Sequence, residues 1–225
     1  MSRSPARAGR KGNRPLWQES ILLVAAALVT AIVVKAFFLQ AFYIPSSSME
    51  PTMLVDDKIL VQKVSYWFGD IQRGDIVVFD DPAEWLGEDS SNHDPNILQR
   101  GLEKVGLFPT SGHLIKRVIG VGGDTVMCCK DGKLVVNGVP LDEPYVLDEK
   151  VTADLPFEVE VRKGHLWVMG DNRGNSSDSR RHLDQPGGGQ VPVEAVVGKA
   201  WFRVWPIGRA GFVSGTSAFD DVPAP

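Results

Sequence analysis

Three consecutive serines, Ser46 to Ser48, stand just after a long apolar stretch of the sequence. A serine hydroxyl is a weak nucleophile until a neighbouring base removes its proton, so the cluster can do chemistry only if the fold brings a base to it. Because the apolar stretch is long enough to cross a bilayer, a nucleophile here would act close to the membrane surface. The rest of the chain has to supply the base.

Histidine is the usual base beside a nucleophilic serine, in a Ser-His-Asp triad. The chain has four histidines, at positions 93, 113, 165 and 182. No serine lies in the Gly-x-Ser-x-Gly pattern that marks the nucleophile of many hydrolases. The hypothesis of a triad therefore rests on composition alone, and no motif supports it.

Lys116 is a different kind of candidate, because it stands inside an apolar run with Arg117 beside it. Alternation along a strand places Lys116 on the same face as Leu114 and Val118. On a solvated face it is an ordinary strand lysine. In an apolar site, desolvation lowers the pKa of the ammonium and makes a neutral amine available as a general base.

Residues 170–180 form a third block, rich in Gly, Asp, Asn, Ser and Arg. The composition is typical of a polar loop held by Asx turns and Asp/Arg pairs. Such a loop can also support an active site from behind. The sequence leaves both interpretations open.

Composition limits the class of protein. Of the 225 residues, 23% are charged and 43% hydrophobic, as in a folded protein with one domain of ordinary size and an anchor. A net charge of -4 gives no support to nucleic-acid binding. No cluster of residues implies a metal or an organic cofactor.

The apolar stretch covers residues 21–39, and 19 helical residues span roughly 28 Å, close to the thickness of a hydrocarbon core. Five basic residues precede it: Arg3, Arg7, Arg10, Lys11 and Arg14. We predict a cytoplasmic basic tail at 1–16 and a single transmembrane helix at 17–42, with the remaining chain outside the cytoplasm. A cleavable signal peptide is the alternative, but the small residues Ala25 to Ala27 lie too early for a cleavage site.

Short β-branched runs separated by turns predict a mostly-β domain over residues 43–210. The predicted strands cover 58–64, 75–79, 113–120, 124–127, 134–136, 157–161, 165–169 and 195–205. Asn137-Gly138 predicts a hairpin turn. The polar stretch 81–112 is interpreted as a surface insertion with a short helix near 96–105, and residues 211–225 as a disordered tail. Cys128 and Cys129 are adjacent, and either a vicinal disulfide or a reduced pair is compatible with the sequence.

Taken together, these blocks resemble bacterial type I signal peptidases, the membrane-anchored Ser/Lys endopeptidases that remove signal peptides from exported proteins. Ser46-x-Ser48-Met49-x-Pro51-Thr52 is similar to the nucleophile box of that family. Residues 73–79, residues 116–124 and residues 170–180 resemble its other three boxes, in the same order. The single anchor, the insertion and the paired cysteines are closer to Gram-positive, actinobacterial members than to members with two anchors.

The resemblance implies that Ser48 is the nucleophile and Lys116 the general base. Ser46, with the Ser48 backbone N–H, would form the oxyanion hole, and Ser176 would hydrogen-bond Lys116. It also implies a group of residues that hold the loop: Asp171, Asp178 and Arg180. Gly174 departs from the family pattern, in which many members carry an acid there.

The resemblance further implies a fold of two antiparallel sheet regions, a catalytic core and a smaller cap at about 122–168. The substrate, an exported preprotein, would lie extended as an added strand, with small residues at the first and third positions before the cut. Residues expected to line its pockets are Phe42, Ile44, Pro45, Met49 and Ile115. Trp201, Phe202 and Trp205 would either contact membrane lipid or pack in the core. A catalytically silent, membrane-anchored binding module of the same fold is the alternative function.

Overall fold

The computed structural model describes residues 15–37, 39–63, 69–82, 85–86, 112–148, 155–213 and 215–225. One α-helix, α1, runs from Leu16–Phe37. The strands in chain order are β1 Leu39–Tyr43, β2 Lys58–Gln62, β3 Ile76–Asp80, β4 His113–Val121, β5 Thr125–Lys130, β6 Lys133–Val136, β7 Val139–Pro140, β8 Phe157–Glu160, β9 His165–Met169, β10 Val191–Pro192, β11 Val196–Trp205 and β12 Gly211–Phe212. Short 3₁₀ helices cover Ser47–Met49, Arg173–Asn175, Ser179–Arg181, Val193–Ala195, Ile207–Arg209 and Ser217–Phe219.

The strands form two sheets, and every described strand pair is antiparallel. The larger sheet has eight strands in the order β1-β2-β11-β3-β4-β9-β10, with β12 added on β11. The smaller has four strands in the order β7-β6-β5-β8. The prediction of a mostly-β, antiparallel fold is confirmed, and the smaller sheet falls within the range predicted for the cap, although β9 belongs to the larger sheet.

The predicted hairpin turn is confirmed at the junction of β6 and β7. Val136 pairs with Val139, and Asn137 and Gly138 between them have φ values of 49° and 82°. Positive φ at both central residues is the geometry that matches the twist of antiparallel strands, which is why Asn-Gly is favoured there.

The end of the helix differs from the prediction. We predicted helix to residue 42, but α1 ends at Phe37 and residues 39–43 form β1, in register with β2 from Leu39↔Gln62 to Tyr43↔Lys58. The backbone groups of this segment find partners on β2, and that tertiary pairing outweighs an apolar pattern that continues from the helix. Within the described residues, none of the helices meets the length and hydropathy needed to span a membrane.

The prediction of disorder at 211–225 is wrong. Phe219 and Val222 are buried in the same apolar cluster as Trp167 of β9 and Val126 of β5. Arg73 donates to the Val222 carbonyl at 3.2 Å and to the Pro223 carbonyl at 2.9 Å. Two large apolar side chains and these hydrogen bonds fix a segment that its Ser/Pro/Ala composition had assigned to disorder.

The cysteine pair, the predicted insertion and the basic tail have different outcomes. Cys128 and Cys129 on β5 form a vicinal disulfide. Almost all of the predicted insertion at 81–112, including its helix near 96–105, lies outside the described residues. Residues 1–14 of the basic tail predicted at 1–16 lie outside them as well.

Candidate active site

Ser48 is held by an apolar anchor immediately after it. The 3₁₀ helix Ser47–Met49 turns the chain so that Met49, with no exposed surface, enters a cluster with Ile44 and Met53. Met53 N–H donates to the Met49 carbonyl at 2.9 Å, and Asn172 N–H donates to the Ser48 carbonyl at 3.1 Å. The backbone of the serine is thus fixed on both sides.

Lys116 reaches Ser48 from the middle of β4. The strand is buried from Leu114 to Gly120, so both of its faces are covered and the lysine is only 3% exposed. Its Nζ lies 2.9 Å from the Ser48 Oγ and donates to the Ile115 carbonyl at 3.0 Å. A hydroxyl group and an amine of the kinds that act as nucleophile and base therefore meet at hydrogen-bonding distance.

The surroundings of Lys116 favour the neutral amine. Burial lowers the pKa of Lys116 from 10.5 to about 8, although the negative charges of Asp178 and Asp171 act in the opposite direction. Desolvation disfavours the charged form of an amine, and here it outweighs two nearby carboxylates. At a pH slightly above neutral, an appreciable fraction of Lys116 can accept a proton.

Ser46 supplies a second hydroxyl beside the nucleophile. Its Oγ lies 3.3 Å from the Ser48 Oγ, and the residue is exposed to solvent. An O–H group at this position can turn towards a bound peptide carbonyl without breaking any buried contact. The hydroxyl groups of Ser46 and Ser48 therefore lie side by side.

Asp171 pairs with Arg117 rather than with Lys116. Arg117 Nε donates to Asp171 Oδ1 at 2.8 Å, and Arg117 Nη2 donates to Oδ2 at 2.6 Å. Thr52, four residues after Ser48, donates to the same carboxylate at 2.5 Å. Asp171 therefore ties the nucleophile segment and β4 to the polar loop.

Asp178 and Arg180 form a second buried pair in that loop. Arg180 donates twice to Asp178 at 2.9 Å, and Gly170 N–H donates to Asp178 at 3.0 Å. Burial alone would raise the pKa of Asp178, but the hydrogen bond and charge of Arg180 hold it below its usual value. The carboxylate stays ionised and keeps the loop in one conformation.

Ser176 is close to the dyad but is not bonded as predicted. Its Oγ is buried beside the Asp178 carboxylate and contributes to lowering the pKa of that group, whereas the predicted hydrogen bond to Lys116 does not form among the described residues. The Ser176 side chain packs on Gly170, and a Cβ built on Gly170 would lie 2.3 Å from Ser176 Oγ and 2.5 Å from the Ser48 carbonyl oxygen. Lys116 instead forms hydrogen bonds with the Ser48 hydroxyl and the Ile115 carbonyl.

The predicted pocket residues lie on one side of Ser48. Phe42, Ile44, Met49 and Ile115 belong to a single buried cluster, and Pro45 is exposed next to it. The structure therefore places these residues together from three separate segments. The four side chains of the cluster are almost fully buried, so their contact with a substrate stays a prediction.

Sequence reasoning missed a buried network behind the loop. Glu143 accepts from Arg173 at 2.6 and 3.0 Å, and Tyr145 donates to Glu143 at 2.5 Å. The Tyr145 ring also lies 4.1 Å from the Arg117 guanidinium carbon. Arg173 lay within a noted motif, but no sequence pattern connected it with Glu143. No group of three or more His, Cys, Asp or Glu side chains suited to a metal occurs in the described part of the chain.

Comparison with known proteins gives the family. The family described as "Signal peptidase, peptidase S26" matches residues 17–205. A probable signal peptidase I of Mycobacterium leprae is 39% identical over 239 residues, covering 92% of this chain and 82% of that protein. Signal peptidase I of Mycobacterium tuberculosis is 40% identical over 228 residues, covering 91% of this chain and 78% of that protein.

A solved signal peptidase I from Enterococcus faecalis is 26% identical, covers 58% of this chain and 97% of its own, and has a TM-score of 0.37. The family match spans all the blocks that form the site, from the serine cluster to the polar loop. This chain belongs to the signal peptidase family, peptidase S26.

Proposed function

We propose that this protein removes N-terminal signal peptides from exported preproteins, with Ser48 as nucleophile and Lys116 as general base. The observation that carries the proposal is the 2.9 Å contact between Lys116 Nζ and Ser48 Oγ in a site where burial brings the lysine pKa to about 8. A lysine with an ordinary pKa would hold its proton at neutral pH and could not serve as a base.

The reaction follows from this pair. Neutral Lys116 accepts the Ser48 proton while Ser48 Oγ attacks the scissile carbonyl. The ammonium then gives that proton to the leaving amine, and the C–N bond breaks to leave an acyl-enzyme. Lys116 next accepts a proton from a water molecule, which attacks the ester. The proton returns to Ser48 Oγ as the new carboxyl end leaves.

The oxyanion formed in each step needs donors. The Ser48 backbone N–H and the Ser46 hydroxyl, whose Oγ lies 3.3 Å from the Ser48 Oγ, would donate to this oxyanion. Preorganised donors at such a position contribute roughly 10²–10³ in rate each. Asp171, Asp178 and Arg180 hold the loop behind the dyad, and Ser176 completes the buried wall beside the Ser48 carbonyl.

Free strand edges support an extended substrate. β4 pairs with β3 from His113 to Arg117, but with β9 only from Arg117 onwards. On the β9 side, the residues of β4 before Arg117 have no partner among the described strands. β1 is likewise paired on one side only, with β2, among those strands. A peptide would add its backbone to these edges and direct small side chains, as in Ala-x-Ala, towards Pro45 and Ile115, with the fully buried Met49 in the cluster beneath them.

Membrane attachment is part of the proposal. The apolar residues 21–39 follow a basic segment and end a few residues before the serine cluster, which supports a single-pass anchor with the catalytic domain outside the cytoplasm. Trp201 and Trp205 are 37% and 49% exposed and would contact lipid at the membrane surface. Protease accessibility of the folded domain in spheroplasts tests this orientation.

The test of function is cleavage of a preprotein in lipid vesicles by the wild type and by the variants Ser48→Ala and Lys116→Ala. We expect the wild type to cut after a small-x-small sequence and both variants to lose activity by at least about 10³-fold. Activity retained in Lys116→Ala would assign the base to another residue. A wild type that binds preproteins without cutting them would favour the binding-module alternative.

A further inference from the structure

His182 lies outside every motif discussed so far, but its ring is packed against the site loop. It follows the 3₁₀ helix Ser179–Arg181 and is only 6% exposed. The ring stacks on Trp85, with centroids 4.3 Å apart and planes at 7°. Trp85 in turn meets the fully buried Phe79 of β3 edge-on, with centroids 6.0 Å apart. His182 is therefore supported from the core of the larger sheet.

The Trp85 side of this contact is fixed by its backbone. Asp81 accepts from Trp85 N–H at 2.7 Å and from Leu86 N–H at 2.9 Å. One carboxylate thus holds both N–H groups of the short segment that presents the indole. The stack therefore rests on a rigid base rather than on an isolated side chain.

His182 also contacts the polar loop that contains Ser176 and Ser177. Its Nε2 lies 2.9 Å from Ser177 Oγ, and Arg181 Nε donates to the Ser176 carbonyl at 3.1 Å. These two bonds hold Ser176 and Ser177 from outside, while Gly170 meets Ser176 from inside. Ser176 is thereby kept against Gly170, next to the Ser48 carbonyl.

We propose that His182 and Trp85 are positioning residues that hold Ser176–Ser177 over the Ser48/Lys116 dyad and keep water away from the lysine. The inference rests on the proposed function, because it assigns the two residues to that same reaction. The role is indirect: neither side chain touches the reacting atoms.

The proposal gives a kinetic signature. Lys116 is a neutral base because it is buried, so a loosened Ser176–Ser177 segment admits water and lets the lysine pKa rise towards 10.5. The midpoint of the increase in activity with pH then shifts to a higher pH. His182 itself does not produce this limb: burial lowers its pKa below 6.5, against the opposing effects of Gln185, Asp178 and Asp81, with Arg181 acting in the same direction as burial.

The experiment measures kcat, KM and the pH dependence of preprotein cleavage in vesicles for variants at the stack. His182→Ala and Trp85→Leu should each lower kcat by about 10-fold or more, with KM unchanged, and raise the kinetic pKa by about one unit. His182→Gln, whose amide can still bond Ser177, and Trp85→Phe, which still offers an aromatic face, should restore most of the rate. His165→Ala is the control, because that ring bonds only the Lys163 carbonyl near the surface.

Ser177→Ala keeps the experiment decisive if the larger truncations do not fold, since it removes the same hydrogen bond from an exposed residue. A lower kcat with a raised kinetic pKa in Ser177→Ala supports the inference. Wild-type kinetics in His182→Ala and Ser177→Ala would overturn it while Ser48→Ala remains inactive. Activity retained in Ser48→Ala would instead refute the proposed function.

Discussion

Lys116 Nζ lies 2.9 Å from Ser48 Oγ, although 68 positions separate the two residues in the chain. The contact joins the central strand β4 to a 3₁₀ turn that follows β1. Both residues are buried, so the base is desolvated by the same packing that fixes the nucleophile. Reactivity and fold are therefore coupled at this point, and each prediction below tests one part of that coupling.

The first prediction concerns pH. The pKa of Lys116 is lowered from 10.5 to about 8, and the neutral form is the base, so kcat/KM should rise with pH and reach half of its plateau near pH 8. Initial rates of preprotein cleavage at low substrate concentration from pH 6 to 10 measure this limb. A midpoint near 10.5 would mean that the lysine is solvated in the working enzyme.

The second prediction concerns stability. An amine whose pKa falls from 10.5 to about 8 on folding destabilises the native state by roughly 3 kcal/mol below pH 8. Between pH 8 and 10.5 the native lysine is already neutral while the unfolded one is still charged, so the cost shrinks and then disappears. Lys116→Met should therefore be inactive but more stable at pH 7.

Denaturant unfolding of Lys116→Met and of the wild type at pH 7 and pH 10.5 checks this. Lys116→Met should have a clearly larger unfolding free energy than the wild type at pH 7, and most of this difference should disappear at pH 10.5. A variant less stable than the wild type at pH 7 would show that the hydrogen bonds of the lysine outweigh its desolvation.

The third prediction isolates the oxyanion donor. Ser46→Ala removes an exposed hydroxyl that lies 3.3 Å from Ser48 Oγ, so kcat should fall by about 10²–10³ with little change in KM or stability. Ser47→Ala is the matched control, because Ser47 Oγ accepts a hydrogen bond from Asn175 at 2.7 Å and has no recorded contact with the Ser48 hydroxyl. Equal losses in the two variants would argue against a donor role for Ser46.

The fourth prediction concerns Gly170. A Cβ there would lie 2.5 Å from the Ser48 carbonyl oxygen and 2.3 Å from Ser176 Oγ, so Gly170→Ala should push the loop away from the dyad. We expect a loss of about 1–3 kcal/mol in unfolding free energy and a large loss of kcat. Gly208→Ala, where a Cβ meets nothing within 4 Å, is the control in thermal unfolding and cleavage assays. Similar unfolding free energies and kcat values for the two alanine variants would contradict the expected clash at position 170.

Much of the sheet was predictable, because β-branched runs and turn residues act locally. β2, β3, β4, β9 and β11 follow such runs closely, and the Asn137-Gly138 turn has the conformation its residues favour. β1 was missed because its residues continue the apolar pattern of α1, and only the presence of β2 makes them a strand.

The residues of the site were predictable from sequence motifs. The burial that lowers the pKa of Lys116 was not. Lys116 is a solvated lysine if one face of β4 is exposed, and a candidate base if both faces are buried. Burial of both faces depends on packing by distant segments, so no local sequence pattern predicts it. The Glu143–Arg173 pair and the Tyr145 contact with Arg117 join distant segments, so they too emerge only from the folded chain.

The burial of Phe219 and Val222 has a consequence for biosynthesis. A polypeptide is synthesised from its N-terminus, so the segments that carry Ser48 and Lys116 are made before these two residues. Until they follow, the apolar cluster around Trp167 lacks part of its cover and Arg73 lacks the carbonyl groups of Val222 and Pro223. The segment that carries Phe219 and Val222 therefore completes the cover of this core only after the strands with Ser48 and Lys116 have been made.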